Sequence, residues 1–361
     1  MPALPEAVQW EARDRPTRVG FALHADPQRE RTVESPFDVE EIFPDVADSV
    51  RLPRRQSGSS PQGLAVTLIA DYTLSSRAWL PTASIVALLG EFGVTAGAAR
   101  TAISRLARRG VLEGSRRGRH SSYRLTGPAA GDLSSGGISI AGFAAGPDSW
   151  DGSWTAFVFT MPKEEKSRRS SLRAQLRWRG YAPLYDGVWV SPHPMKEHDH
   201  AELVAATPGA TTAFRARHLR FASGTTRDPI EAWDITAIAA EYETFVRRWT
   251  PLLPRIRADD ITGAAAVRAR TEVMDTYRRF PALDPLLPLE LLPPDWPRTR
   301  ARETFVAVYD GLAEPAQDHV RAVAAHVDDE PRPDIRTHTV AEMAVGVIGS
   351  STKATTNRAS G

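Results

Sequence analysis

Between residues 99 and 125 the chain reads ARTAISRLARRGVLEGSRRGRHSSYRL, which sets eight arginines against one acidic residue, Glu113, in a protein of 361 residues whose formal net charge is +1. A guanidinium carries its N–H donors in a planar fork that fits phosphate oxygens or the major-groove edge of guanine, so the segment is a local patch suited to a polyanion. The nearly neutral remainder offers no whole-molecule attraction to nucleic acid, and any such role rests on this patch. Helical spacing divides it. Ala99, Ala102, Ile103 and Leu106 recur at three- and four-residue intervals and form an inward face, while Arg100, Thr101, Ser104, Arg105 and Arg108 lie elsewhere.

Ala96, Gly97 and Ala98 are small enough to let another surface approach the start of this helix, and a helix N-terminus attracts phosphate. Duplex DNA fits both features. Thr95, Ala96, Gly97, Arg100, Thr101 and Ser104 are then the expected base-reading positions, with Arg100 bidentate to guanine and Arg105 as a further reader. Arg116, Arg117, Arg119 and His120 are expected against backbone phosphate or in the minor groove, where they add affinity more than sequence choice. Arg109 suits the helix C-terminus, and Arg105 equally suits pairing with a carboxylate. Arg108 and Arg124 stay open between phosphate contact and solvated surface.

Three amphipathic stretches must position these residues: LAVTLIADYTL, TASIVALLGEFG and TAGAARTAISRLARRG, each with apolar residues at helical spacing. Thr82 and Thr95 stand where N-caps belong, and Gly93 and Gly110 where the second and third helices should end. VLEGSRRGRHSSYRLT then gives two extended runs about Gly118, a hairpin with a basic tip. Three helices followed by a hairpin is winged-helix order. The expected organisation is an α+β multidomain chain. Residues 1–60 are a disordered extension and linker, 61–127 the DNA-binding domain and 128–149 a Gly-, Ser- and Ala-rich connector. Residues 150–228 form a small α+β domain, 229–327 an all-α domain and 328–361 a loose polar tail.

Composition excludes several chemistries. The chain has no cysteine, which rules out disulfides, thiolate zinc sites and cysteine nucleophiles. Neither a signal-peptide pattern nor a long apolar run is present, so a cytoplasmic protein with no membrane partner is expected. His193, His198 and His200 lie near Glu197 and Asp199 in HPMKEHDH and have the types for a divalent metal, but the pattern reads as a solvated loop and no metal site is expected. Asp151 and Asp186 read as turn residues.

Three blocks, LLGEFGVTAGAARTAISRLARRGVLEGSRRGRHSSYRLT, WDGSWTAFVFTMPKEEKSRRSSLRAQLRWRGYAPLYDGVWVSP and RRFPALDPLLPLELLPPDWP, resemble in order and spacing the PaaX family of bacterial transcriptional regulators, known as repressors of phenylacetate catabolism. The resemblance runs from about residue 62 to 327. It implies an N-terminal winged helix-turn-helix, a central ferredoxin-like domain similar to a small CRISPR-associated nuclease, and a helical C-terminal domain. It also implies a homodimer on a palindromic operator, released by an acyl-CoA effector that is phenylacetyl-CoA in the best-known members. The extension before residue 60 lies outside the family pattern, and the connector is unusually rich in Gly and Ser.

A nuclease reading follows from the central domain's likeness, yet TAFVFTMP ends its first strand with Met161 and Pro162 where a metal-binding Asp is needed. No enzymatic role and no cofactor is therefore expected; an RNA-binding scaffold is the other alternative. For the effector phosphates, Lys166, Arg168, Arg169, Arg173, Arg177 and Arg179 are candidates on or beside the central helix, with Arg173 and Arg177 foremost. Arg278 and Arg279 are a second pair. An ordinary basic surface is the competing reading for both groups. Trp150, Trp154, Trp178 and Trp189 are expected in the domain core, and the Pro-rich stretch 281–297 as a rigid turn packing Leu286, Leu287, Leu291 and Leu292.

Overall fold

A computed structural model describes residues 60–117, 120–146, 150–219, 227–328 and 331–348. The expected extension lies outside these residues, as do Arg119, residues 349–361 of the tail and the side chain of Arg117.

Helix α1, Pro61–Thr73, starts where Ser60 accepts a hydrogen bond from the Gly63 amide at 3.1 Å and Pro61 fills the first turn. Strand β1, Leu80–Pro81, runs directly into helix α2, Thr82–Gly90, and the third helix, α3, spans Ala96–Arg108. Strands β2, Leu112–Arg117, and β3, His120–Leu125, pair antiparallel, and β1 adds to β3, giving the sheet order β1-β3-β2. Both helix ends expected from glycine are made the same way. Gly93 and Gly110 take φ of +79° and +73°, and the Val94 and Val111 amides reach back to Leu89 O and Leu106 O at 3.2 and 3.0 Å. Thr95 caps α3 as expected, its hydroxyl accepting from the Ala98 amide at 3.3 Å. Thr82 does not cap α2: β1 feeds the helix without a break, Pro81 holds the cap position, and the Thr82 hydroxyl donates across the sheet to Ser121 O at 2.8 Å.

The Gly- and Ser-rich connector is a helix. Thr126 caps α4, Gly127–Gly142, and its small residues let another element come close. A Cβ added to buried Gly137 would lie 2.8 Å from Met343 Cγ, on the final described helix. The Gly- and Ser-rich composition therefore serves close packing.

The central region is a βαββαβ unit: β4 Trp154–Phe159, α5 Lys166–Trp178, β5 Ala182–Tyr185, β6 Val188–Ser191, α6 Glu197–Ala205 and β7 Thr211–Ala216. Its antiparallel sheet has the order β5-β6-β4-β7. Alternation along β4 sends Phe157 and Phe159 into a core with Leu172, Leu176, Trp189 and Leu203, while Trp154 and Ala156 pack on the opposite face against Trp233 and Leu291. Trp150 is half-buried and packs against that second cluster. Trp178 departs from the expected core, being 43 % exposed at the end of α5.

Helices α7 Ile235–Trp249, α8 Gly263–Tyr277, α9 Arg298–Gly311 and α10 Ala313–Asp328 form the C-terminal half, joined by short helical turns at Leu253–Arg257 and Phe280–Leu283. The Pro-rich turn packs Leu287 and Leu292 in the core, with Leu286 and Leu291 half-buried. What fixes it is an ion pair that no periodicity announces. Buried Asp284 takes hydrogen bonds from Arg298 Nε at 2.8 Å, Tyr242 OH at 2.9 Å and the Leu287 amide at 3.0 Å.

The tail is not loose where it is described. Residues 331–348 lie along the body with Ile335, Val340, Met343 and Val347 buried, and end in α11, Val340–Val345. The Arg336 amide donates to Tyr72 O at 2.9 Å and Ser76 Oγ to Asp334 O at 2.7 Å, both on or just after α1. One hydrophobic cluster runs from α1, α2 and α3 into α8, α9, α10 and α11, so packing does not separate the N-terminal helices from the C-terminal ones. Among the described residues no helix is long and apolar enough to cross a membrane.

A buried polar chain crosses that shared core. Tyr309 OH donates to Asp71 Oδ1 at 2.8 Å and lies 3.1 Å from His338 Nε2, and Arg270 Nη2 donates to His338 O at 2.6 Å. Burial pushes the Asp71 carboxyl up to about 6 against the pull of Arg270, and pushes the His338 imidazole down to about 3 with Arg270 acting in the same direction. The two act oppositely on stability. From the ordinary carboxyl value of 3.8 up to about 6 the folded chain holds a proton the unfolded chain releases, so the Asp71 contribution is lost as pH rises. From about 3 up to the ordinary imidazole value of 6.5 the unfolded chain binds a proton the fold excludes, so the His338 contribution is lost as pH falls. Urea midpoints at several pH values check this: D71N should lose stability more steeply on acidification than the parent, and H338Q less steeply. G137V should cost about 1 to 3 kcal/mol through overpacking against Met343, read by the same melts.

Candidate nucleic-acid interface

The structure gathers the expected reading residues on one side of α3. Thr95, Ala96, Gly97, Arg100, Thr101, Ser104, Arg105 and Arg108 are exposed, and Ala99, Ala102, Ile103 and Leu106 are buried against the body. Thr101 Oγ1 donates to Gly97 O at 2.9 Å, which leaves its oxygen free to accept. A Cβ added at Gly97 would meet nothing within 4 Å, so packing does not demand glycine there. The side chains of Arg100, Arg105 and Arg108 form no ion pair or hydrogen bond among the described residues. The carboxylate partner envisaged for Arg105 is absent among them. Arg109 is half-buried at the C-cap, where its amide donates to Arg105 O at 3.1 Å.

The patch's one acidic residue is already neutralised. Glu113 Oε1 lies 2.6 Å from Arg77 Nη2 and 2.7 Å from Arg124 Nε. The Arg124 guanidinium also sits 4.4 Å over the Trp79 ring, and Arg77 Nε donates to Leu125 O at 3.0 Å. Arg124 is thus committed within the fold, while Arg77 enters from outside the segment; no local pattern could have found it. These bonds pin the base of the β2–β3 hairpin to the turn after α1. Arg116 and His120 are exposed towards its far end.

The central candidates divide as well. Lys166, Arg169, Ser170, Arg173 and Arg177 line a surface depression of about 350 Å³. Within it Arg169 Nη2 donates to Met161 O at 2.7 Å, Arg173 Nη2 lies 3.2 Å from Asp186, and Arg177 sits 5.4 Å from the Trp189 ring centre. Arg168 is 3.7 Å from Glu165, and nearly buried Arg179 is held by Asp199 at 3.1 Å and by Glu202. Arg278 and Arg279 do not line the depression. Arg278 pairs with Asp275 and donates to Thr67 Oγ1 at 3.2 Å, tying α8 to α1, and Arg279 lies 3.8 Å from the same Asp275.

Asp151 takes the Ser153 amide at 2.8 Å and Arg215 at 2.7 Å, and Asp186 precedes Gly187 in the turn between β5 and β6. His193 lies in a loop as expected, but His198 and His200 do not: α6 starts at Glu197 with an acidic first turn, which suits the helix dipole. His198 pairs with Glu202 at 2.8 Å and His193 Nε2 lies 2.7 Å from Pro285 O. Among the described residues no group of three or more His, Cys, Asp or Glu side chains could hold a metal ion.

Three family models match in sequence order. They are a PaaX-like protein over residues 60–129, the PaaX protein central Cas2-like domain over 147–227, and the PaaX-like protein C-terminal domain over 233–322. The transcriptional repressor PaaX of Escherichia coli (strain K12) is 32 % identical over 241 residues, covering 65 % of this chain and 74 % of that protein. A solved structure of the uncharacterized protein Rv0674 from Mycobacterium tuberculosis is 20 % identical, covers 75 % of this chain and 99 % of its own, and has a TM-score of 0.46.

Exposed side chains without partners should be dispensable for folding. R100A, R105A and R108A are each expected to shift the free energy of unfolding by less than about 0.5 kcal/mol, whereas L106A should cost about 2 to 5 kcal/mol. Denaturant melts of the four variants check the division between the two faces of α3.

Proposed function

The chain belongs to the PaaX-like family, and on that premise we propose that it is a transcriptional repressor that reads duplex DNA through the exposed face of α3. The single observation that carries this is the row of cations Arg100, Arg105 and Arg108, whose exposed side chains lie along α3 with no partner among the described residues. The order α1-β1-α2-α3-β2-β3, with β1 closing the sheet, supports a winged helix-turn-helix in which α3 enters the major groove. The hairpin then follows the backbone, bringing Arg116, Arg117, Arg119 and His120 to phosphate.

The βαββαβ order of the central unit supports a ferredoxin-like domain. Two copies on a palindromic operator would set two α3 helices one helical turn apart, which makes the working form a homodimer. The cationic depression on α5 suits the phosphates of an acyl-CoA effector, with Arg173 and Arg177 as the anchoring residues. Arg278 and Arg279 are less suited, because Asp275 already holds both. Release requires that the effector bind the DNA-incompetent arrangement more tightly, a coupling of about 1 to 3 kcal/mol.

Footprinting the promoter beside the protein's own gene, with and without acyl-CoA thioesters, tests the reading and identifies the effector. Equal affinity for operator, scrambled duplex and hairpin RNA at fixed salt would replace it with a non-specific scaffold. R100A should lose roughly 1 to 3 kcal/mol on the operator and relax one base position, while R117A should weaken every duplex and reduce the salt slope by about one. If the two variants behave alike, the separation of reading from positioning contacts is wrong.

A further inference from the structure

Glu91 closes α2 just ahead of Thr95, the cap of α3, so whatever holds Glu91 fixes where the reading helix begins. The turn between them has little slack, since Gly93 and the Val94 amide close it back onto α2. Two helices of the C-terminal half converge on it. From α10, His319 Nε2 lies 2.7 Å from Glu91 Oε1; from α8, Arg268 Nη1 donates to the Glu91 main-chain oxygen at 3.4 Å. The His319 and Glu91 side chains are only 22 % and 20 % exposed. The other carboxylate oxygen, Glu91 Oε2, is buried and makes no hydrogen bond among the described residues, so His319 is the partner on which that carboxylate depends.

α2 is otherwise held to α10 by apolar packing and by a weak contact from Ser84 Oγ to Val323 O at 3.4 Å. Neither His319 nor Arg268 stands on the exposed face of α3. Removing a partner from a largely buried carboxylate leaves it unsatisfied, and the available relief is for the turn to swing Glu91 towards water. Such a swing changes the angle at which α3 leaves α2.

We propose that Glu91 and His319 are positioning residues for DNA recognition: their contact makes the C-terminal helices set the pose of the reading helix. The claim rests on the reading of α3 given above. It also names the route by which a rearrangement of the C-terminal half can reach the DNA, through a discrete contact that is either made or broken.

The test uses the full-length protein and a labelled operator duplex, with anisotropy titrations across a salt series. H319L should weaken operator binding about tenfold, within the usual range of coupling between sites, and leave the salt slope unchanged because no phosphate contact is lost. H319K, which places N–H donors opposite Glu91, should restore most of the affinity. The double variant E91A/H319L should bind no more weakly than E91A alone, since both remove the same contact. Unaltered binding by H319L, equal weakness of H319K and H319L, or additive single effects would each overturn the proposal. Should H319L not fold, E91Q replaces it, with weakened binding expected and parental affinity contradicting the claim. R100A is titrated alongside: parental affinity there refutes the reading of α3 itself, whereas a weak R100A beside an unaltered H319L refutes only the positioning role.

Discussion

A guanidinium taken wholly out of water needs acceptors, and the fully buried Arg270 finds them for both of its terminal nitrogens at the joint of this molecule. Its donors go to the main-chain oxygens of Tyr309 and His338, and its charge acts on buried Asp71. Those residues come from α8, α9, the segment before α11, and α1. Separating the N-terminal helices from the C-terminal half would therefore take Asp71 away from both the Tyr309 hydroxyl and the field of Arg270. The shared apolar core supplies the bulk of the adhesion, and the polar chain selects the arrangement.

Most named arginines outside α3 are committed in a comparable way. Arg77 and Arg124 hold Glu113, Arg179 holds α6, Arg298 closes the Pro-rich turn on Asp284, and Arg302 caps the end of α4 through Ala141 O and Phe143 O at 2.7 and 2.9 Å. Against that background the cations of α3 differ in being exposed and unpaired. Their fields reach solvent without a neighbouring carboxylate to cancel them, since Glu113 is already occupied. A surface of that kind gives attraction through charge and discrimination through the shape and donors of the helix that carries it.

The elements around α3 were legible because their signals are local: apolar spacing in 99–106, Thr95 as a cap, and Gly93 and Gly110 as helix ends. Thr82 misled because its hydroxyl bonds across the sheet, a partner that spacing along the chain does not specify. The helix in the connector was not legible for a different reason. Gly and Ser lower helix propensity, but α11 rewards a small-residue face, and Gly137 lies where Met343 leaves no room for a side chain. The tail looked polar because its buried residues, Ile335, Val340, Met343 and Val347, are spread thinly among polar ones. Contacts that span the sequence, such as Arg77 to Glu113 or Asp71 to Tyr309, leave no local trace at all.

In the proposed function the exposed face of α3 lies in the major groove of a specific duplex. Dimethyl sulfate protection on the operator measures it directly, because guanine N7 is reached only from that groove. Protected guanines are expected in each half-site, with at least one becoming reactive again when Arg100 is replaced by alanine. Fully reactive guanines beneath a bound protein, or an R100A pattern identical to the parent, would contradict it.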